Sequence, residues 1–139
     1  KVVRSGMMVS IVGIAGLGGA AGSARHALKT AYAVSQIQPD MLSVLTLRLY
    51  KGTQMLREFE EGKFELLSPC GLAEEVRTFL SHIELPPNRH CLFRSNHISN
   101  YVPLKGPLPK DRDRLLQELD VSIGKLSQLT DWKVYTNME

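Results

Sequence analysis

Two short apolar runs flank a glycine-rich turn and an amphipathic segment, and this succession restricts the architecture more than any other feature of the chain. Met8 to Ala15 (MVSIVGIA) is rich in Val and Ile and bounded by glycines, the pattern of a buried strand. Gly16 to Gly22 reads as a glycine-rich loop, and Ser23 is placed to cap a helix over Ala24 to Gln38. In that segment Ala24, Ala27, Leu28, Ala31, Val34 and Ile37 trace one helical face. Pro39 and Asp40 stop the helix, and Met41 to Leu47 (MLSVLTL) reads as a second strand, apolar on both faces. Strand, helix and strand without polar alternation define a βαβ unit of a parallel sheet, with a right-handed crossover. The class is α/β.

Beyond this unit the pattern turns helical. Gly52 and Thr53 introduce a short helix to Glu61, closed by Gly62 in a left-handed cap. Ser68-Pro69 pairs an N-cap with Pro at the first helical position, and opens a helix to about Ile83 with Leu72, Val76, Phe79, Leu80 and Ile83 inward. Arg89 to Arg94 is extended, Asn96 to Pro109 is a loop stiffened by three prolines, and a last helix spans Lys110 to Leu126 on Leu115, Leu116, Leu119 and Ile123.

Length and composition set outer limits. With 139 residues there is room for one domain rather than two, and 43% apolar with 22% charged residues is ordinary for a globular chain. A net charge of +3 is too small and scattered to argue for nucleic acid; Lys105, Lys110, Arg112 and Arg114 alternate with Asp111 and Asp113 as a solvated face. No uninterrupted apolar run reaches the roughly 18 residues of a membrane span. A secretory signal over Lys1 to Ala24 is disfavoured by Gly13, Gly16, Gly18, Gly19 and Gly22, which break the helix such a segment needs. Lys1 stands where an initiator Met would, and a strand begins almost at once, so we expect Lys1 to lie inside a longer polypeptide.

Several residue groups could carry chemistry. Gly16-Leu17-Gly18-Gly19-Ala20-Ala21 satisfies G-x-G-x-x-A, in which glycines let backbone approach a phosphate or an adenine ring. The acidic residue that a nicotinamide cofactor needs at the end of the next strand is missing, since that strand ends in Thr46, Leu47 and Arg48; tight helix–sheet packing is the other use of such glycines. Arg94, Asn96, His97, Asn100 and Tyr101 concentrate directional polar groups in one loop, either lining a site or bracing the loop itself. Cys70, His90, Cys91 and His97 have no zinc-ligand spacing. Cys91 with His90 or His97 could imitate a nucleophile–base pair, although a buried, inert Cys is the commoner case. His26, His82 and His90 read as ordinary helix-surface or strand residues.

Taken together, the strand–GLGG–helix–PD–strand unit and the segment Phe93-Arg94-Ser95-Asn96-His97 with Ser99-Asn100-Tyr101 and Pro103-Leu104-Lys105-Gly106 resemble the C-terminal half of radical S-adenosylmethionine proteins. The group most similar is the Fe–S oxidoreductase-like, B12-independent one related to the oxygen-independent coproporphyrinogen oxidases. The resemblance covers about Val9 to Leu126. It implies the last strands and helices of a partial (β/α)6 TIM-like barrel over 1–67, with Val9 to Ala15 as its fifth strand and Met41 to Leu47 as its sixth. Residues 68–139 become a mainly helical C-terminal extension packed on it. It places Gly16, Leu17, Gly18 and Gly19 beside the adenine of S-adenosylmethionine and gives the 93–106 loop no assigned role. Lys51-Gly52-Thr53 departs from the Pro-Gly-Thr of many relatives.

The departure that matters is an absence. The family holds a [4Fe–4S] cluster through C-x-x-x-C-x-x-C, and Cys70 and Cys91 cannot supply three closely spaced thiolates. The expectation is therefore an enzyme parent, acting on an unknown small-molecule or protein substrate, and a chain that alone binds neither cluster nor S-adenosylmethionine and is inactive. The implied setting is cytoplasmic, with no nucleic-acid or membrane partner. Part of an open barrel leaves its first strand unpaired, so self-association over Val9 to Ala15 or the inner sheet face is expected. The alternative is a non-catalytic α/β module that binds a protein through that edge and the 93–106 loop.

Overall fold

The computed structural model describes residues 3–132 together with the backbone of 136 and 137; Lys1 and the final residues of the expected extension lie outside the described residues. Along the chain the elements are β1 (Ser10–Ala15), α1 (Gly19–Ile37), β2 (Met41–Thr46), β3 (Leu49–Tyr50), α2 (Gln54–Glu60), α3 (Pro69–His82), β4 (Cys91–Arg94), β5 (Lys105–Leu108), α4 (Arg112–Leu126) and β6 (Thr136–Asn137). One four-stranded sheet runs in the order β1-β2-β4-β5, and β3 pairs with β6 apart from it. β1, β2 and β4 are parallel and β5 returns antiparallel to β4, so the α/β class holds with a small, open, mixed sheet.

The βαβ unit forms as its sequence predicts, with one shift. α1 starts at Gly19 rather than Ala24. The early start is possible because the first-turn amides are satisfied without a side-chain cap: Gly19 N–H donates to Gly16 O at 3.0 Å and Ala20 N–H to Glu65 O at 2.8 Å. Ser23 therefore lies inside the helix and turns elsewhere. Of the expected face, Ala27, Ala31 and Val34 are buried, while Leu28 and Ile37 remain 44% and 43% exposed. Thr53 caps α2 through Leu56 N–H, Gly62 is left-handed at φ 72°, and Ser68 caps α3 through Gly71 N–H at 3.1 Å with Pro69 following.

The sequence reading of Asn96 to Pro109 as loop throughout is corrected by β5. Leu104, Gly106 and Leu108 are buried, whereas Lys105 and Pro107 face the other way, a period of two that the prolines disguise. Pro107 is tolerated because β5 is an edge strand. The extension thus contributes two strands to the sheet, and residues on either side of position 67 share one core.

That core lies on one face. Leu42, Val44, Cys91, Phe93 and Leu108 from the strands meet Ala27, Ala31 and Val34 of α1, Leu72, Phe79 and Leu80 of α3, and Leu115 and Leu119 of α4. α3 lies between α1 and α4, and Arg77 clamps α3 to Asp120 of α4 through two hydrogen bonds of 2.5 and 3.1 Å. The opposite face is formed by Ser10, Val12 and Ile14 of β1, Met41, Ser43 and Leu45 of β2, Leu92 and Arg94 of β4, and Lys105 and Pro107 of β5. None of these is buried. Parallel strands are ordinarily covered on both sides. Here β1 is also a sheet edge, with Val12 58% exposed.

We expect concentration-dependent association through this edge and face. Sedimentation of the wild-type chain should show dimers or larger species, and Val12→Lys should return it to monomer; a wild-type chain that stays monomeric at high concentration would refute the expectation.

Candidate functional site

β1 and β2 end in register at Ala15 and Thr46, β4 stops at Arg94 opposite Ser43, and the turn after β1, the segment after β2 and the 95–104 loop after β4 gather at that edge, where ligands of open parallel sheets bind. The two motifs singled out in the sequence are therefore brought to one edge of the fold.

Glu75 of α3 organises the first. Only 4% exposed, it accepts from Gly16 N–H at 2.9 Å and from the Ser23 hydroxyl at 2.5 Å, and its Oε1 lies 2.9 Å from His26 Nδ1. An internal carboxylate thus engages the turn amide before α1 and two side chains of the helix, while backbone carbonyls take the Gly19 and Ala20 amides. The glycines answer to packing. A Cβ on Gly18 would meet Gly22 O at 2.8 Å, and one on Gly19 (φ 65°) would meet the Phe64 ring at 2.9 Å. Leu17 is 43% exposed, and Gly16 borders the cleft described next. Neither Glu75 nor the role of His26 was read from the sequence, which gave His26 to the helix surface. The available signal was position: Glu75 falls three residues after Leu72 and four before Phe79, on the inward face of α3.

Asn100 organises the second motif. Its Nδ2 donates to Val44 O at 2.7 Å and Ser95 O at 2.8 Å, and its Oδ1 accepts from the Thr46 hydroxyl at 2.9 Å. The buried Ser95 donates to Val102 O and accepts from Leu104 N–H. Ser99 Oγ accepts from Thr46 N–H at 3.3 Å and lies 2.8 Å from His97 Nδ1, which also accepts Ser99 N–H. No carboxylate is hydrogen-bonded to His97 among the described residues, so this Ser–His contact lacks the third group that orients a catalytic base. Asn96 is exposed, and Tyr101 is 38% exposed. Arg94 stands apart from the loop on the open sheet face.

Between the motifs lies a cleft bordered by Gly16, Thr46, Leu47, Arg48, Ser99, Tyr101 and Trp132, with a volume of about 40 Å³. Small-molecule pockets usually enclose about 300 Å³ or more. The cleft is a wall rather than a complete pocket.

The cysteines stay apart from this edge. Cys91 is fully buried on the helix-covered face, and burial pushes its thiol up to about 11, with no hydrogen bond to His90 or His97. Cys70 is half-buried on α3, and burial followed by the Glu74 carboxylate raises its thiol as well. Among the described residues no three His, Cys, Asp or Glu side chains come together as a metal site. No helix among them is long and apolar enough to cross a membrane. Comparison with known protein families, with curated proteins and with solved structures found no match.

Removing the Glu75 carboxylate leaves Gly16 N–H and Ser23 without their buried acceptor, so Glu75→Ala should cost about 3 kcal/mol in urea denaturation, and Glu75→Gln less. For Cys91 the folded state holds the proton above the ordinary 9.0. Its contribution to stability is complete below pH 9 and lost as pH rises toward 11, so the urea midpoint should fall across that interval, and fall less in Cys91→Val.

Proposed function

We propose that this chain is the C-terminal part of a radical S-adenosylmethionine Fe–S protein, its open sheet face forming one wall of a reaction cavity that other chain completes. The observation that carries this is the sheet itself: three parallel strands covered on one face only, with both sequence motifs at their C-terminal edge. In a closed or partly closed barrel the uncovered side of such strands is the interior. The partial (β/α)6 barrel, with β1 and β2 as its last two strands, belongs to the same proposal.

When bound, S-adenosylmethionine and a [4Fe–4S] cluster would supply a 5′-deoxyadenosyl radical able to abstract hydrogen from a substrate. The cluster does not fit the residues present: Cys70 and Cys91 sit on α3 and on the covered face of β4, and three thiolates are needed. The ligands would have to come from outside these residues. S-adenosylmethionine fits in part. Gly16, with Thr46 and Leu47, offers a backbone and apolar wall, while Leu17 lies outside that lining, Gly18 and Gly19 are consumed by packing and Gly16 N–H by Glu75. This chain's residues would orient the adenine and exclude water there. We place such a protein in the cytoplasm, acting on a small-molecule or protein substrate.

A second reading, a non-catalytic module that binds a protein through β1 and the open face, is favoured by the same exposed edge. The coding sequence upstream of Lys1 separates the two. A C-x-x-x-C-x-x-C motif there, with anaerobic reconstitution of the longer protein giving a [4Fe–4S] electron paramagnetic resonance signal that S-adenosylmethionine perturbs, is the expected result. An upstream sequence without that motif would sink the proposal and leave the module.

A further inference from the structure

The open face is not uniformly apolar. Its β1–β2 half carries Val12, Ile14, Met41 and Leu45, whereas its β4–β5 half ends in Arg94 and Lys105, directly opposite each other across the antiparallel pair. Ser95 N–H donates to Leu104 O at 2.8 Å one position further on, so the Arg94–Lys105 pair is of the non-hydrogen-bonded kind, in which side chains stand closest. Like charges directly opposite destabilise a sheet. No carboxylate of the face's own strands offsets the repulsion: its strand residues include no Asp or Glu. Arg94 makes no hydrogen bond or ion pair among the described residues, and its Nε is enclosed without an acceptor. The other basic residues nearby are differently placed. Arg89 pairs with Asp40, and Arg114 with Asp111 and Glu118.

We propose that Arg94 and Lys105 form an oxyanion-binding site on the open face, at the C-terminal end of β4, for a carboxylate or phosphate group of a small molecule lying against the Val12–Leu45 half. The planar guanidinium supplies directed N–H donors and the ammonium a flexible second charge, a combination suited to either oxyanion. Bound there, the anion converts the cross-strand repulsion into two attractions and gives Arg94 Nε an acceptor. The identity of the face as a cavity wall rests on the function proposed above; the charge arrangement does not.

The test uses this chain with no cluster or cofactor, so it succeeds or fails separately from the radical-chemistry proposal. The Arg94 Nε–H resonance and the backbone amide resonances of positions 93–95 and 104–106 of ¹⁵N-labelled protein are followed while glutarate, inorganic phosphate or sodium chloride is added at matched ionic strength, the variants being read on the amides. We expect saturable shifts with glutarate or phosphate and none with chloride, loss of saturation in Arg94→Gln, and several-fold weaker binding in Lys105→Gln. The tighter probe identifies the anion as carboxylate or phosphate. Shifts that track ionic strength alone, or unchanged binding in Arg94→Gln with its amide spectrum otherwise intact, would overturn the site.

Discussion

One buried carboxylate sets the geometry on which the rest of the fold depends. A carboxylate taken out of water must be met by hydrogen bonds or it forces the structure apart. Glu75 is met by Gly16 N–H, Ser23 Oγ and His26, which belong to the β1–α1 turn and the first turns of α1. α3 is thereby tied to the opening of α1, and Leu72, one turn earlier on α3, closes against the same glycine: a Cβ on Gly16 would lie 3.1 Å from Leu72 Cδ2. Gly16 holds φ 87°, a conformation that glycine adopts at little cost. The turn, α1 and α3 are fixed together, and through them the cover over β1 and β2.

A second set of polar groups does the same for the strand ends. Asn100 joins the backbone of β2 to that of the β4 exit, and Ser95 closes the loop on Val102 and Leu104. Asp40 performs the corresponding service at the other end, accepting from Val9 N–H at 2.7 Å and from Arg89 at 2.9 Å. Both ends of the sheet are thus held by buried or half-buried side chains. The open face is presented by a framework braced at both strand ends and on its helix-covered side.

The sequence disclosed what depends on local pattern. The βαβ unit, the Ser68-Pro69 start of α3 and the inward residues Leu72, Phe79, Leu80, Leu115 and Leu119 follow from periodicity and capping chemistry. It concealed what depends on partners far along the chain. β5 was hidden because prolines mask a period of two, and only its pairing with β4 makes those residues a strand. α1 begins early because Glu65 O accepts Ala20 N–H, an acceptor distant in sequence. The candidate residues divide for the same reason. Gly16 and Tyr101 meet at one cleft, whereas Asn100 proves to be a brace and Arg94 turns to the opposite side of the sheet from the core. Glu75 went unread because an acid on an inward helical face is intelligible only once its three donors are in place.

The open face also discriminates between what could cover it. A surface built for packing against another apolar layer would place no charge where water is to be expelled, since an unpaired buried charge costs several kcal/mol (about 3–5 when a partner is missing). The gradient here, from Val12 and Ile14 at the β1 edge to Arg94 and Lys105 at β4–β5, suits instead a bound molecule with an apolar body and an anionic end. It also limits self-association to the β1 side. Two copies meeting edge to edge there can bury Val12 and Ile14 while both cation pairs stay in water, but two copies meeting face to face would set four cations within one dry layer. Association through the edge and anion binding by Arg94 and Lys105 draw on different residues, and they compete only where the ligand's apolar body reaches Val12 and Ile14.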